Sequence, residues 1–136
     1  MVRIIIIDDE QDVRDALQEV LKRAGFEADA AASGNEGLEL LRKSPSDLVI
    51  TDIIMPGKDG VKIISDIRAE FPETRIIAIS GGGNVAPLAY EPNAIKTEAY
   101  LASASVAGAD VTLTKPFDGK ELVQAVQDLA NDNQAD

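Results

Sequence analysis

The chain of 136 residues has no cysteine and no histidine. Without cysteine there can be no disulfides, thiolate metal sites or cysteine nucleophiles. Without histidine the commonest general base is missing, as is any histidine-ligated zinc site. Aromatic residues make up only 4%, so the core must rest on Ile, Leu, Val and Ala, and a flavin would find few rings to stack on. Basic residues are also sparse: 13 Lys and Arg face 24 Asp and Glu, for a net charge of -11. The Lys and Arg are scattered singly or in pairs and build no basic patch, so the chain is not expected to bind nucleic acid directly. Long apolar runs are missing too. The longest aliphatic run is Ile4 to Ile7, far too short to cross a bilayer, so no membrane insertion is expected. The N-terminus carries no apolar signal segment followed by a small-residue cleavage site, and the expected location is the cytoplasm. Any chemistry must use carboxylates, hydroxyls, lysine and the backbone.

What is present is a regular alternation. With 45% hydrophobic and 27% charged residues, the composition is that of one ordinary globular domain. Val2 to Ile7 is a branched apolar run interrupted only by Arg3, the pattern of a strand buried on both faces, and it ends in Asp8 and Asp9. Val13, Leu17, Val20, Leu21 and Ala24 recur at helical spacing, with Gly25 as the stop. Phe26 to Ala31 reads as a second strand. Ser33 and Glu36 form a capping box before Leu38, Leu40 and Leu41, and Pro45 closes that helix. Leu48 to Thr51 is a third strand with Asp52 at its carboxyl end, followed by a loop over Met55 to Gly60. Val61, Ile63, Ile64 and Ile67 mark a third helix, closed by Pro72. Arg75 to Ile79 is a fourth strand ending at Ser80. After Gly81, Gly82 and Gly83 the chain is irregular, with Pro87 and Pro92, and a helix is expected from about Asn93 to Ala107, stopped by Gly108. Val111 to Thr114 is a fifth strand leading to Lys115 and Pro116. Asp118 and Glu121 cap a last helix through Leu122, Val123, Val126 and Leu129, and a polar, frayed tail is expected from Asn131. Strands alternating with helices in this way predict an α/β fold with a doubly wound parallel sheet of five strands and helices on both faces.

In open parallel sheets ligands bind outside the carboxyl ends of the strands. Those ends carry Asp8 and Asp9, Asp52, Ser80 and Lys115. Each alone has a plain structural reading: an Asp after a strand is usually a cap or turn former, a Ser before glycines a turn, and a Lys before Pro a solvated side chain. What points to chemistry is their coincidence on one edge. Clustered carboxylates repel unless a cation lies between them. Oxygen ligands of this kind suit Mg²⁺, which is typically held by one or two carboxylates together with phosphate oxygens. A lysine and a hydroxyl beside them suit the same phosphate, and a carboxylate can act as the nucleophile.

From about Val2 to Leu129 the sequence resembles the receiver domains of two-component response regulators. The resemblance is carried by Ile4-Ile5-Ile6-Ile7-Asp8-Asp9-Glu10, by Leu48 through Asp52 to Met55-Pro56-Gly57-Lys58-Asp59-Gly60, by Ile76 to Ser80, and by Gly108-Ala109-Asp110 leading to Lys115-Pro116-Phe117. It implies a flavodoxin-like (βα)5 fold, with residues 1–130 as the receiver and 131–136 as a polar tail. It implies that Asp52 accepts a phosphoryl group from a sensor histidine kinase or a histidine phosphotransfer protein. Mg²⁺ would be held by Asp8, Asp9, Asp52 and the backbone carbonyl of Ile54, with Asp8 acting through water. Lys115 would pair with the phosphoryl oxygens, and Ser80 would hydrogen-bond them and move on activation. The Lys115–Pro116 bond is expected to be cis. Pro56 and Gly60 are expected to shape the loop after Asp52, Glu10 and Asp59 to face solvent or cap, and Phe117 to pack under the last helix. Such a protein is a switch of protein–protein interactions rather than an enzyme. It passes its state to a downstream protein or to an output domain outside this sequence, and it is expected to be either a stand-alone receiver or one excised from a longer regulator.

Two features depart from the family pattern. Thr112 stands three positions before Lys115, where receivers usually carry an aromatic residue. The stretch from Ser80 to Lys115 is also longer than usual, and the excess is placed between Gly81 and about Asn93. A mobile loop is expected there rather than a second phosphate site at Gly81 to Gly83, and Tyr90 and Tyr100 are read as packing residues. Three alternatives stand beside this reading: a degenerate receiver that binds partners without phosphorylation, an aspartyl-phosphate phosphatase, and a flavodoxin-like cofactor binder. The phosphatase pattern needs Asp-x-Asp after the first strand, whereas here Asp8 and Asp9 are adjacent.

Overall fold

The computed structural model describes residues 2–55, 58–80, 108–114 and 118–134. Its elements are β1 (Arg3–Ile7), α1 (Gln11–Arg23), β2 (Glu27–Ala31), α2 (Gly34–Lys43), β3 (Leu48–Asp52), β4 (Ile54–Met55), β5 (Lys58–Asp59), α3 (Gly60–Glu70), β6 (Arg75–Ser80), β7 (Val111–Thr114) and α4 (Gly119–Gln134). Five strands form one sheet in the order β2-β1-β3-β6-β7, and every pairing in it is parallel. This is the predicted doubly wound sheet.

The β1 run shows why the sheet needs two layers of helix. Ile5 and Ile7 enter one core with Leu38 and Leu41 of α2 and Ile63, Ile64 and Ile67 of α3. Ile4 and Ile6 enter a second core with Leu17 and Leu21 of α1 and Leu122, Val126 and Leu129 of α4. Successive side chains of a strand point to opposite faces, so an unbroken isoleucine run can be buried only if both faces are covered. Each such side chain contributes about 1.5–3 kcal/mol on burial. α2 approaches β1 closely: a Cβ on Gly37 would occupy the space of the Ile7 side chain.

The helix ends follow the capping rules. Gly25, at φ +97°, ends α1 in a Schellman motif, in which the Gly25 N–H donates to the Lys22 carbonyl and the Phe26 N–H to the Leu21 carbonyl. Phe26 is therefore spent on the cap, and β2 begins one residue later than predicted. Ser33 Oγ accepts from the Glu36 N–H at 3.2 Å, and Asp118 Oδ1 accepts from the Glu121 N–H at 2.8 Å. Both N-cap side chains act as predicted, with the Ser33 half of the capping box formed.

Two expectations are corrected. The stretch from Met55 to Gly60 is not a simple loop, because β4 and β5 pair antiparallel, Ile54 with Asp59 and Met55 with Lys58, and α3 starts at Gly60. The last helix extends past Asn131, where the tail was expected to begin, to Gln134. No glycine or proline follows Gly119 to break it, and Gln124 holds Asp128 one turn on at 2.8 Å. The expected helix from Asn93 to Ala107, the insert after Ser80, the tyrosines at 90 and 100, and the Lys115–Pro116 bond with Phe117 lie outside the described residues.

Candidate functional site

β1 ends at Ile7 and hands the chain directly to three acids. Asp8 is only 2% exposed, although it is a carboxylate. Its N–H donates to the Ala31 carbonyl of β2 at 3.1 Å, so the ladder continues one residue past the strand. Its Oδ1 accepts from the Glu10 N–H at 2.9 Å, an Asx turn that swings the chain toward α1. Its main-chain carbonyl accepts from Arg14 Nη1 at 2.8 Å. Asp9 and Glu10 are exposed. One carboxylate oxygen from each of Asp8, Asp9 and Glu10 lies within 4.8 Å of the other two.

Asp52 closes β3, the central strand, and is 7% exposed. β1 and β3 pair with Ile7 opposite Thr51, so Asp8 and Asp52 are the next residues on two adjacent strands. On its other side Asp52 is in register with Ile79 of β6, and the Ile53 N–H donates to the Ile79 carbonyl at 3.0 Å. Ser80 closes β6 opposite Thr114, the last residue of β7. The sheet therefore brings the backbones of Asp8, Asp52 and Ser80 to one edge and aims β7 at the same edge. Ile54 opens β4 two residues after Asp52. Lys115, the residue after β7, and the Ser80 side chain lie outside what is described. Thr112 is half-buried and in register with Ala78.

Asp8 and Asp52 are buried acids at neighbouring strand ends, and Asp8, Asp9 and Glu10 form an all-oxygen cluster at the first of those ends. Burying like charges together is costly unless positive charge accompanies them. Oxygen donors in this number, some buried and some open to water, fit a small hard cation such as Mg²⁺. Soft or nitrogen-preferring metals find no suitable ligand here.

Sequence reasoning placed Glu10 as a solvent-facing or capping residue. The structure keeps it exposed at the N-cap position of α1, with no side-chain capping bond. Its carboxylate nonetheless joins the pair at Asp8 and Asp9, and the contiguity of the three acids was the available signal. Arg14 was not singled out by its sequence. Only the six-residue step from Asp8 into the first turn of α1 could have suggested that it folds back on the strand end. A cleft of about 550 Å³ between Pro45, Asp47, Phe71 and Thr74 is not part of this site. It lies at the amino ends of β3 and β6, the opposite edge of the sheet from Asp52.

Known proteins show the same architecture. The family model described as the response regulator receiver domain matches residues 4–127. A response regulator receiver domain protein from Clostridium thermocellum is 28% identical with a TM-score of 0.79, over 99% of this chain and 98% of that one. NtrX from Brucella abortus, solved in complex with ADP, is 26% identical with a TM-score of 0.83 over 99% of this chain. This chain spans only 28% of the NtrX chain. A CheY-like receiver domain protein from Methanospirillum hungatei JF-1 shares the fold at a TM-score of 0.83 and 23% identity. The expected fold and family are both met, and the chain belongs to the response regulator receiver domain family of two-component signalling.

Proposed function

We propose that the chain is a phosphoacceptor switch in which Asp52 takes a phosphoryl group from the phosphohistidine of a sensor histidine kinase or a histidine phosphotransfer protein. The observation that carries this reading is the pair of buried carboxylates, Asp52 at 7% and Asp8 at 2% exposure, on adjacent strand ends of a receiver-family sheet. A carboxylate on the central strand, held by a rigid ladder on both sides, is a positioned nucleophile. An Asp52 oxygen attacks phosphorus, the bond from phosphorus to the donor's histidine nitrogen breaks, and the electron pair leaves with that nitrogen.

Asp8, Asp9, Asp52 and the carbonyl of Ile54 are the groups that would hold Mg²⁺. When bound, the ion supplies positive charge against the phosphoryl oxygens. Lys115 is assigned to pair with the same oxygens and Ser80 to hydrogen-bond them, because the residues just before and at those strand ends share the edge with Asp52. The protein otherwise acts by positioning, which is the larger part of phosphoryl-transfer catalysis. The acyl phosphate then biases a two-state surface around β6 and β7, which changes the affinity for a downstream protein or an output domain. No described helix is long and apolar enough to cross a membrane.

The test uses acetyl phosphate and Mg²⁺ with intact-mass measurement. The wild-type chain should gain one phosphoryl group, and the Asp52→Asn variant should gain none. Equal labelling of the two chains would contradict the assignment of Asp52. No labelling of the wild type, together with no response to beryllofluoride, would favour a binding module that works without phosphorylation.

A further inference from the structure

We infer that Arg14 is a positioning residue for the cation site at Asp8 and Asp9, an inference that rests on the reading of that site given above. Arg14 lies in the first turn of α1 and is half-buried. Its Nη1 donates to the main-chain carbonyl of Asp8 at 2.8 Å. The turn carrying the acids is thus held from three directions. The Asp8 N–H is tied to Ala31 of β2 at 3.1 Å, Oδ1 takes the Glu10 N–H at 2.9 Å, and the carbonyl is tied to α1 through Arg14.

The choice of acceptor matters. One carboxylate oxygen from each of Asp8, Asp9 and Glu10 lies within 4.8 Å of the other two, and an arginine that reaches this acidic turn would ordinarily take a bidentate carboxylate bond. Arg14 forms no salt bridge among the described residues and bonds the peptide carbonyl instead. It therefore fixes the backbone between Asp8 and Asp9 without drawing a carboxylate oxygen away from a cation. Partners that orient metal ligands in this way contribute roughly 10- to 100-fold to metal affinity.

A purely electrostatic role predicts the opposite sign. A fixed positive charge near the site repels a divalent cation, so removing the charge alone would tighten binding. The sign of the change thus separates the two roles.

The experiment titrates Mg²⁺ into the full chain, without phosphodonor, and follows the amide ¹H–¹⁵N shifts of Asp8, Asp9 and Glu10. Arg14→Met keeps the aliphatic stem and the helix propensity but removes both donor and charge. The inference expects its Mg²⁺ dissociation constant to rise roughly tenfold, with the shifts of distant amides unchanged. An unchanged or tighter constant overturns the inference while leaving the cation site in place. The absence of saturable shifts in the wild type overturns both. If Arg14→Met does not fold, Arg14→Gln carries the same comparison with the same expected sign. Failure of both to fold makes Arg14 a residue of the fold and overturns its assignment to the site.

Discussion

Arg68 Nη2 and Asp110 Oδ2 are 2.9 Å apart, and they join the end of α3 to the residue that leads into β7. The same Asp110 oxygen accepts the Ile76 N–H at 2.8 Å, at the start of β6. Arg68 also donates to the carbonyls of Pro72, Thr74 and Gly108 at 2.8, 2.8 and 2.7 Å. One guanidinium therefore gathers the α3–β6 turn and the entry to β7. Arg68→Ala should destabilise the fold by about 2–3 kcal/mol, because several charge-assisted bonds are lost at a half-buried place. Arg68→Lys should recover little, since an ammonium lacks the planar fork that reaches four acceptors. Urea unfolding measures both. A loss below about 0.5 kcal/mol for Arg68→Ala would show that water replaces the guanidinium freely.

Gly108 packs against that same arginine. Its φ is +130°, and a Cβ there would stand 3.1 Å from both Cγ and Nε of Arg68. Gly25 has φ +97° with nothing within 4 Å of its Cβ position. Both substitutions to alanine incur backbone strain of about 1 kcal/mol, but only Gly108→Ala adds a clash. Thermal unfolding of the two variants should rank Gly108→Ala as the less stable. Equal losses would mean that Arg68 moves aside without cost.

The approach of α2 to β1 is set by Gly37 and Ile7. A Cβ on Gly37 falls on Ile7 Cδ1 and Cγ1, and Ile7 is the residue immediately before Asp8. Gly37→Ala should destabilise by about 1–3 kcal/mol through overpacking. Ile7→Val removes the Cδ1 methyl, so the double variant should lose less than the sum of the two single losses. A double-mutant cycle in denaturant checks this, and strict additivity would contradict the close contact.

Arg42 of α2 and Glu70 of α3 form a forked ion pair at 2.6 and 2.8 Å. The hydrogen bond from Arg42, aided by its charge, holds the Glu70 carboxyl below its ordinary value. A depressed folded-state value means that the unfolded chain binds the proton first as pH falls. The stabilisation is therefore full above the ordinary glutamate range and is lost as pH drops through the lowered value. Both side chains are largely open to water, so the effect is small and screened by salt. Glu70→Gln should be slightly less stable than the wild type at neutral pH, with the difference vanishing in acid. A difference that is constant across that range would show that the pair contributes nothing through its charge.

Much of the fold could be read in the residues. The Ile4 to Ile7 run can only belong to a strand covered on both faces, and the two cores confirm why. The caps at Ser33 and Asp118 and the stop at Gly25 are local chemistry, legible without tertiary structure. Asp8, Asp9 and Asp52 were legible because strand ends can be counted from sequence once the sheet is parallel. Arg14 and Arg68 were not, since each acts on a carbonyl and any carbonyl looks alike in a sequence. The β4–β5 hairpin was missed because strands of two residues leave no periodicity to detect. The extension of α4 to Gln134 was missed because polar composition was weighed above the absence of a breaker.

The central claim is that Asp52, and not another acid on that edge, carries the phosphoryl group. The most direct measurement treats the chain with acetyl phosphate and Mg²⁺ and reduces it with borohydride, which converts an aspartyl phosphate to homoserine. Peptide mass spectrometry then locates the change. The account predicts homoserine at position 52 alone, dependent on the phosphodonor and on Mg²⁺. Homoserine at position 8 or 9, with Asp52 intact, would contradict it.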